Sequence, residues 1–280
     1  MPEGDTLFRT ATVLREVLVG RQVTSARGRP DGVPLERTVG SRVDRVESQG
    51  KHLLIGFDNG LTLHTHLRMH GSWHRYRTGE SWKRSASRAV AVIEVPGAVC
   101  VCFDAPTVEL LDSRALELHP VLSSLGPDLM ALEPDLAEVS RRLAAPERTA
   151  TAIGEVLLDQ TALAGIGNVY RSEVLFIERV DPFLPAGMLD PAARERLVAS
   201  AAELLAANRG GHARSTRPDP NAPPQFARSL PGGRLWVYAR AGRPCLRCGA
   251  RIRTRVFGSL PRRVFWCPGC QPEGSGAASA

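Results

Sequence analysis

Apolar residues Leu7, Phe8, Ala11, Leu14 and Leu18 recur at helical spacing, so residues 6–19 are expected to form an amphipathic helix capped by Asp5 or Thr6. From residue 22 to about 119 the period shortens. Runs at 40–46, 53–57, 61–67, 89–94 and 98–103 are short, β-rich and bounded by turn residues. Short strands in succession without alternating helices predict an antiparallel sandwich or barrel, not a parallel α/β sheet. Beyond residue 119 helical patterns follow at 136–143, 151–159, 168–177 and 191–207. Residues 209–233 are dense in Gly, Pro, Ser and Arg and read as a mobile loop. The tail after Gln271 is small and polar, and is expected to be disordered. No internal repeat interrupts this order.

The chain of 280 residues suggests roughly two domains. With 43% hydrophobic and 23% charged residues it is neither a disordered chain, a collagen-like fibre nor a membrane bundle. No apolar run approaches the ~20 residues of a membrane span. The start, MPEGDTLFRT, lacks a basic region followed by an apolar core, so a cytoplasmic location is expected. The net charge of +7 is uneven: residues 1–208 carry −4 and residues 209–280 carry +11, with 13 Arg against Asp219 and Glu273. A cationic segment on a neutral-to-acidic body is the footprint of a polyanion partner. Only two of the 36 basic residues are lysines, Lys51 and Lys83.

Four of the six cysteines form one pattern, Cys245-Leu-Arg-Cys248 and Cys267-Pro-Gly-Cys270, separated by eighteen residues. This is the spacing of a four-thiolate zinc ribbon, with two strands at 252–257 and 264–266 joined by a turn at 258–261. All four ligands come from the protein, so the expected Zn2+ is structural. Cys100 and Cys102 read as small buried hydrophobes on one strand face. His64 and His66 share a strand face, but two histidines without a third ligand make a weak metal site.

Four further features bear on chemistry. Removal of Met1 would leave Pro2 as a secondary amine, whose pKa near ~8 keeps a useful fraction nucleophilic at neutral pH. Glu3 beside it is a candidate general acid or base, although Pro-Glu-Gly-Asp-Thr is also a good helix entry. Lys51 follows a glycine turn and opens a strand, suited either to phosphate contact or to a solvated edge. Gly165-Ile-Gly167 makes a tight turn, and Asn168 caps the helix that follows. Its N-terminal amides form an anion site to which Asn168 adds a donor, or the turn is a plain packing corner. Arg262 lies five residues before Cys267, at the tip of the metal hairpin, where it can grip a phosphate.

Together the PEGDT start, the GKHLL strand, the LAGIGNVYRSE turn and the terminal CxxC…WCPGC ribbon resemble the formamidopyrimidine-DNA glycosylase/endonuclease VIII family of base-excision enzymes, from residue 2 to about 271. The resemblance implies an α+β fold: an N-terminal antiparallel β-sandwich with a leading helix (1–119), a helix–two-turn–helix DNA-binding domain (120–240), a four-cysteine zinc finger (241–271) and a tail (272–280). It implies a bifunctional DNA glycosylase and apurinic/apyrimidinic-site lyase working by β,δ-elimination. Pro2 matches the nucleophile, Glu3 the adjacent catalytic acid and Lys51 the supporting lysine. Asn168 and Arg262 match the phosphate clamp, and Arg68, Met69 and His70 the loop that fills the hole left by a flipped base. The expected partner is damaged double-stranded DNA, with single strands as a second form, met by a monomer without membrane attachment, at the nucleoid. Purine-directed members carry a second glutamate where this chain has Thr6, which points to the endonuclease VIII-like branch and oxidised pyrimidines. The alternatives are an oxidised-purine preference, a DNA-binding zinc-finger protein without activity, or a zinc-ribbon interaction module.

Overall fold

The computed structural model describes residues 2–29, 32–210, 213–217, 232–259 and 261–278. The chain divides into two compact units, Met1–Ser124 and Leu125–Ala280.

The N-terminal unit opens with helix α1 (Gly4–Leu18), whose Leu7, Ala11, Leu14 and Leu18 are buried while the opposite face meets solvent. Eight strands follow: β1 (Ser25–Gly28), β2 (Val43–Gln49), β3 (His52–Phe57), β4 (Thr62–His66), β5 (Ser72–Arg77), β6 (Ala89–Val95), β7 (Ala98–Phe103) and β8 (Thr107–Leu111). They form two four-stranded antiparallel sheets, ordered β2-β3-β4-β8 and β1-β6-β7-β5. The core joins the apolar stripe of α1 to Val43, Leu53, Ile55 and Leu63 of one sheet and Ile93, Cys100 and Cys102 of the other. Burial pushes the Cys100 thiol up to about 12 and raises Cys102 as well, so both stay protonated and behave as small apolar side chains. Arg15 of α1 donates from Nε and Nη2 to the Val46 carbonyl at 3.0 and 2.7 Å, which fastens the helix to β2. A short helix α2 (Ser113–Glu117), capped by Asp112, closes the unit.

The C-terminal unit contains α3 (Leu136–Leu143), α4 (Ile153–Val156), α5 (Asn168–Ile177), α6 (Pro191–Ala207) and the hairpin β9 (Arg253–Phe257) with β10 (Arg262–Trp266). The hairpin is antiparallel, with Arg262 opposite Phe257. Its apolar face joins the core of the helices, where Phe176 of α5 packs with Val237, Cys245, Ile252, Phe265, Cys267 and Cys270. The metal-ribbon segment is thus built onto α5 rather than standing apart from it.

Several expectations are corrected. The helix expected over 151–159 is a single turn that starts late: Ala152 bridges Pro185, the Thr151 carbonyl accepts from Ala186 N–H (2.9 Å), and the Ile153 and Gly154 N–H groups donate to the carbonyls of Leu184 and Pro182 (2.8 and 3.0 Å). A Cβ on Gly154 would stand 2.7 Å from that Pro182 oxygen, so only glycine allows the approach. The tail is ordered through residue 278: the N–H groups of Asp181 and Asp190 donate to the carbonyls of Ser275 and Gly276, and Ala278 N–H donates to the Met188 carbonyl. Backbone groups make these bonds, so its small polar side chains carry no sign of them. Residues 211–212 and 218–231 of the expected 209–233 loop, and residues 279–280 of the tail, lie outside the described residues.

Candidate functional site

Glu3, not Asp5 or Thr6, is the N-cap of α1, and the helix begins at Gly4. Glu3 has extended backbone angles, and its N–H donates to Thr6 Oγ1 at 3.5 Å. The Thr6 hydroxyl also donates to Asp5 Oδ1 at 3.3 Å, so its polar group serves the helix entry. Glu3 is 0% exposed and Pro2 beside it is half-buried. An ionisable carboxyl is therefore held inside the protein next to a half-buried proline.

Lys51 sits in the two-residue turn Gly50-Lys51 between β2 and β3, closed by the pair Gln49 and His52. Gly50 has φ +56°, the left-handed angle this tight turn requires. Lys51 is half-buried rather than an open strand edge. Burial lowers the pKa of the His52 and His66 imidazoles, and the Lys51 charge adds a smaller push in the same direction.

Arg68, Met69 and His70 form the exposed tip between β4 and β5, with Met69 56% exposed. Gly71 N–H donates to the Leu67 carbonyl at 2.9 Å, and a Cβ there would meet that oxygen at 2.6 Å. Arg68 adopts φ +48° and its N–H donates to His66 Nδ1 at 3.3 Å. Arg84 spans Asp104 Oδ2 (2.8 Å) and the His70 carbonyl (3.4 Å), bracing the tip from the neighbouring loop.

In the second unit the turn before α5 is held by Gln160. Its Oε1 accepts from Gly165 N–H (3.2 Å) and its Nε2 donates to Ile166 O (3.1 Å). Gly167 in an extended conformation is the N-cap, so Asn168 is the first helical residue rather than the cap. The Asn168 amide donates to the Arg263 carbonyl at 2.9 Å, which joins the helix start to the hairpin strand that carries Arg262. Arg171, 1% exposed, completes the joint by donating to Asn168 Oδ1, to Arg263 O (3.0 Å) and to Gly154 O (3.2 Å). Sequence reasoning passed over Arg171. The available signal was an arginine three residues after Asn168, on the same helix face. Arg262 itself is exposed at the start of β10.

The four cysteines of the ribbon converge. Cys245 and Cys270 sulfurs are 3.9 Å apart, Cys248 and Cys267 sulfurs 3.4 Å, and all four lie within 4.8 Å of one another. A tetrahedral ion with metal–sulfur bonds of about 2.3 Å needs sulfurs about 3.8 Å apart, so the set fits one metal ion. Among the described residues a second potential metal cluster joins His64 to Glu109 and His119 and leaves out His66, the partner that the sequence reading paired with His64.

Residues 1–115 match the model of the formamidopyrimidine-DNA glycosylase N-terminal domain, and residues 125–216 that of the formamidopyrimidine-DNA glycosylase H2TH domain. The chain is 40% identical to a probable endonuclease 8 2 of Streptomyces coelicolor, covering 97% of this chain and 94% of that protein. It is 38% identical to a DNA-(apurinic or apyrimidinic site) lyase Nei2 of Mycolicibacterium smegmatis, over 97% of this chain and 99% of that protein. It is 33% identical to endonuclease 8 of Escherichia coli, over 97% and 100%. The fold resembles the Lactococcus lactis Fpg solved in complex with abasic-site DNA, with a TM-score of 0.79 at 22% identity, over 97% of this chain and 100% of that one. No described helix is long and apolar enough to cross a membrane.

Proposed function

The chain belongs to the formamidopyrimidine-DNA glycosylase/endonuclease 8 family, and on that premise we propose that it is a bifunctional DNA glycosylase and apurinic/apyrimidinic-site lyase of base-excision repair. The reading rests above all on Pro2 and Glu3, a half-buried proline beside a fully buried carboxyl at the start of α1.

Once Met1 is removed, the Pro2 secondary amine attacks C1′ of the damaged nucleotide, flipped out of the duplex. The electron pair of the C1′–base bond leaves with the base, which takes up the proton the amine sheds; the C1′–O4′ bond then breaks as Glu3 gives a proton to O4′, leaving an open-chain iminium. The resulting iminium acidifies the C2′ protons. Loss of one of them expels the 3′ phosphate, and a second elimination expels the 5′ phosphate. Lys51, on its tight turn, supports this chemistry and binds phosphate. Asn168 and Arg262, tied through Arg263 and Arg171, grip the backbone. Arg68, Met69 and His70 enter the stack where the base has left.

Zinc held by Cys245, Cys248, Cys267 and Cys270 fixes the hairpin that presents Arg262, and takes no part in the reaction. The substrate is damaged double-stranded DNA, and the +11 charge of residues 209–280 suits it. The lesion class is oxidised pyrimidine, because Thr6 occupies the position of a second acid and is spent on the helix entry. The enzyme works as a monomer in the cytoplasm, at the nucleoid.

Borohydride trapping on a duplex with a single abasic or 5-hydroxyuracil site tests this. A covalent adduct and strand cleavage are expected with the wild-type protein, and both collapse in Pro2→Gly. No adduct and no cleavage on any lesion would overturn the enzymatic reading. A panel that favours 8-oxoguanine would overturn the pyrimidine preference alone.

A further inference from the structure

Four imidazoles and a carboxylate meet where β3, β4 and β8 pair, outside the groups assigned to the reaction. Across the antiparallel ladders His52 lies opposite His66 and His64 opposite Glu109, while His119 follows α2. His52 and His64 are buried. His64 Nδ1 lies 2.7 Å from Glu109 Oε2, His119 Nε2 3.1 Å from the same oxygen, and His52 Nδ1 2.8 Å from His64 Nε2.

His64, Glu109 and His119 have the composition of a metal site, but the surroundings of His119 oppose that use. Its Nδ1 accepts N–H bonds from Val121 and Leu122 at 3.3 and 3.1 Å. A neutral ring must then carry its proton on Nε2, the atom that faces Glu109 and that a metal would need bare.

The same bookkeeping sets every other proton in the cluster. His119 donates from Nε2 to Glu109. Burial pushes the Glu109 carboxyl up, but the bonds from His64 and His119 outweigh it and hold it below the ordinary range, so it is an ionised acceptor. His64 then donates from Nδ1 and offers Nε2 as a lone pair, so His52 must donate from Nδ1. His66 accepts the Arg68 N–H at Nδ1 and keeps its own proton on Nε2. A neutral ring with one donor and one acceptor allows no other pattern. The chain Glu109–His64–His52 has one polarity, and it ends on the residue directly after Lys51.

We propose that Glu109 and His64 are positioning residues for Lys51: the carboxylate orients His64, His64 orients His52, and His52 clamps the start of β3 and with it the Gly50-Lys51 turn. The inference rests on the role given to Lys51 above. A shift of about 1 Å in a catalytic group costs on the order of a hundredfold in rate, so such a clamp has a kinetic consequence.

The test combines nitrogen-15 NMR of the histidines with single-turnover cleavage of an abasic duplex. In the wild-type protein His52 and His64 are expected as Nδ1–H tautomers, and His66 and His119 as Nε2–H. Glu109→Ala should release the His52 tautomer and slow cleavage ten- to a hundredfold, while DNA affinity falls far less, by no more than one phosphate contact is worth. Glu109→Gln, which keeps an oxygen acceptor for His64, should recover most of the rate. A merely structural role would release the tautomer without changing the ratio of rate to affinity. His52 found as Nε2–H in the wild type, or Glu109→Ala cleaving at the wild-type rate, would overturn the inference and leave the lyase reading intact. A folded wild type that cleaves nothing would overturn the lyase reading and the role given to this chain with it.

Discussion

Acidification from pH 7 to pH 5 is expected to weaken the N-terminal sandwich far more than an ordinary carboxylate titration would. Burial, then the charges of His66, His64, His119 and Lys51, lowers His52 from 6.5 to about 3. Burial, then Arg68, Lys51 and His64, lowers His66 to about 4. Both rings are neutral in the folded state at pH 5, whereas the unfolded chain protonates them below about 6.5. The unfolded state therefore binds more protons, and stability present above pH 6.5 is lost as the pH falls toward the folded-state values. Integrated from pH 7 to pH 5, each group costs about 2 kcal/mol, and the pair about 4 kcal/mol. Against a typical domain stability of about 5–15 kcal/mol that is a large fraction. Hydrogen exchange in peptides from β3 and β4, corrected for the intrinsic pH dependence of exchange, reads the opening free energy directly. Protection should fall roughly a thousandfold between the two pH values, and the double variant His52→Asn/His66→Asn should lose most of this dependence. An equal pH dependence in the wild type and the double variant would refute the assignment of acid sensitivity to these rings.

Three other outcomes can be checked. Arg262→Ala should shallow the salt dependence of DNA binding by about 0.9 in log–log slope, one phosphate's worth. An unchanged slope in fluorescence-anisotropy titrations would count against that contact. Glu173, wholly buried, accepts N–H bonds from Trp236 (2.8 Å), Val237 (2.9 Å) and Tyr238 (2.8 Å) as well as the Thr216 hydroxyl. Glu173→Leu strands these donors at about 1–3 kcal/mol each, so a loss of about 4 kcal/mol is expected in urea unfolding of the C-terminal unit. Chelation of the ribbon metal should lower the melting temperature of that unit by roughly 10 °C or more and release four titratable thiols, with DNA affinity falling in parallel.

Much of this protein is written in local patterns. The apolar stripe of α1, the buried runs of β3, β6 and β7, and the helices α3, α5 and α6 all follow from periodicity. Each buries a continuous face and so selects its residues accordingly. The strands that escaped notice, β1, β5 and β8, are all sheet edges. An edge strand pairs on one side only and here is largely half-buried, so Ser-Ala-Arg-Gly, Ser-Trp-His-Arg-Tyr-Arg and Thr-Val-Glu-Leu-Leu carry no clear alternation.

By itself the sequence determined the four-cysteine cluster, the Pro2-Glu3 start, the glycine turn beside Lys51 and the uneven charge, because each is a matter of residue type and short spacing. Only the tertiary structure decided that Glu3 is the cap of α1 and buried, that Asn168 donates one bond to the Arg263 carbonyl, and that Arg171 locks the two together. It also decided that His52, His64, Glu109 and His119 form one hydrogen-bonded chain. These contacts join residues up to 95 positions apart through sheet order, register and the docking of a hairpin on a helix. Register is set by the packing of whole faces, and no local pattern encodes which residue will stand opposite which.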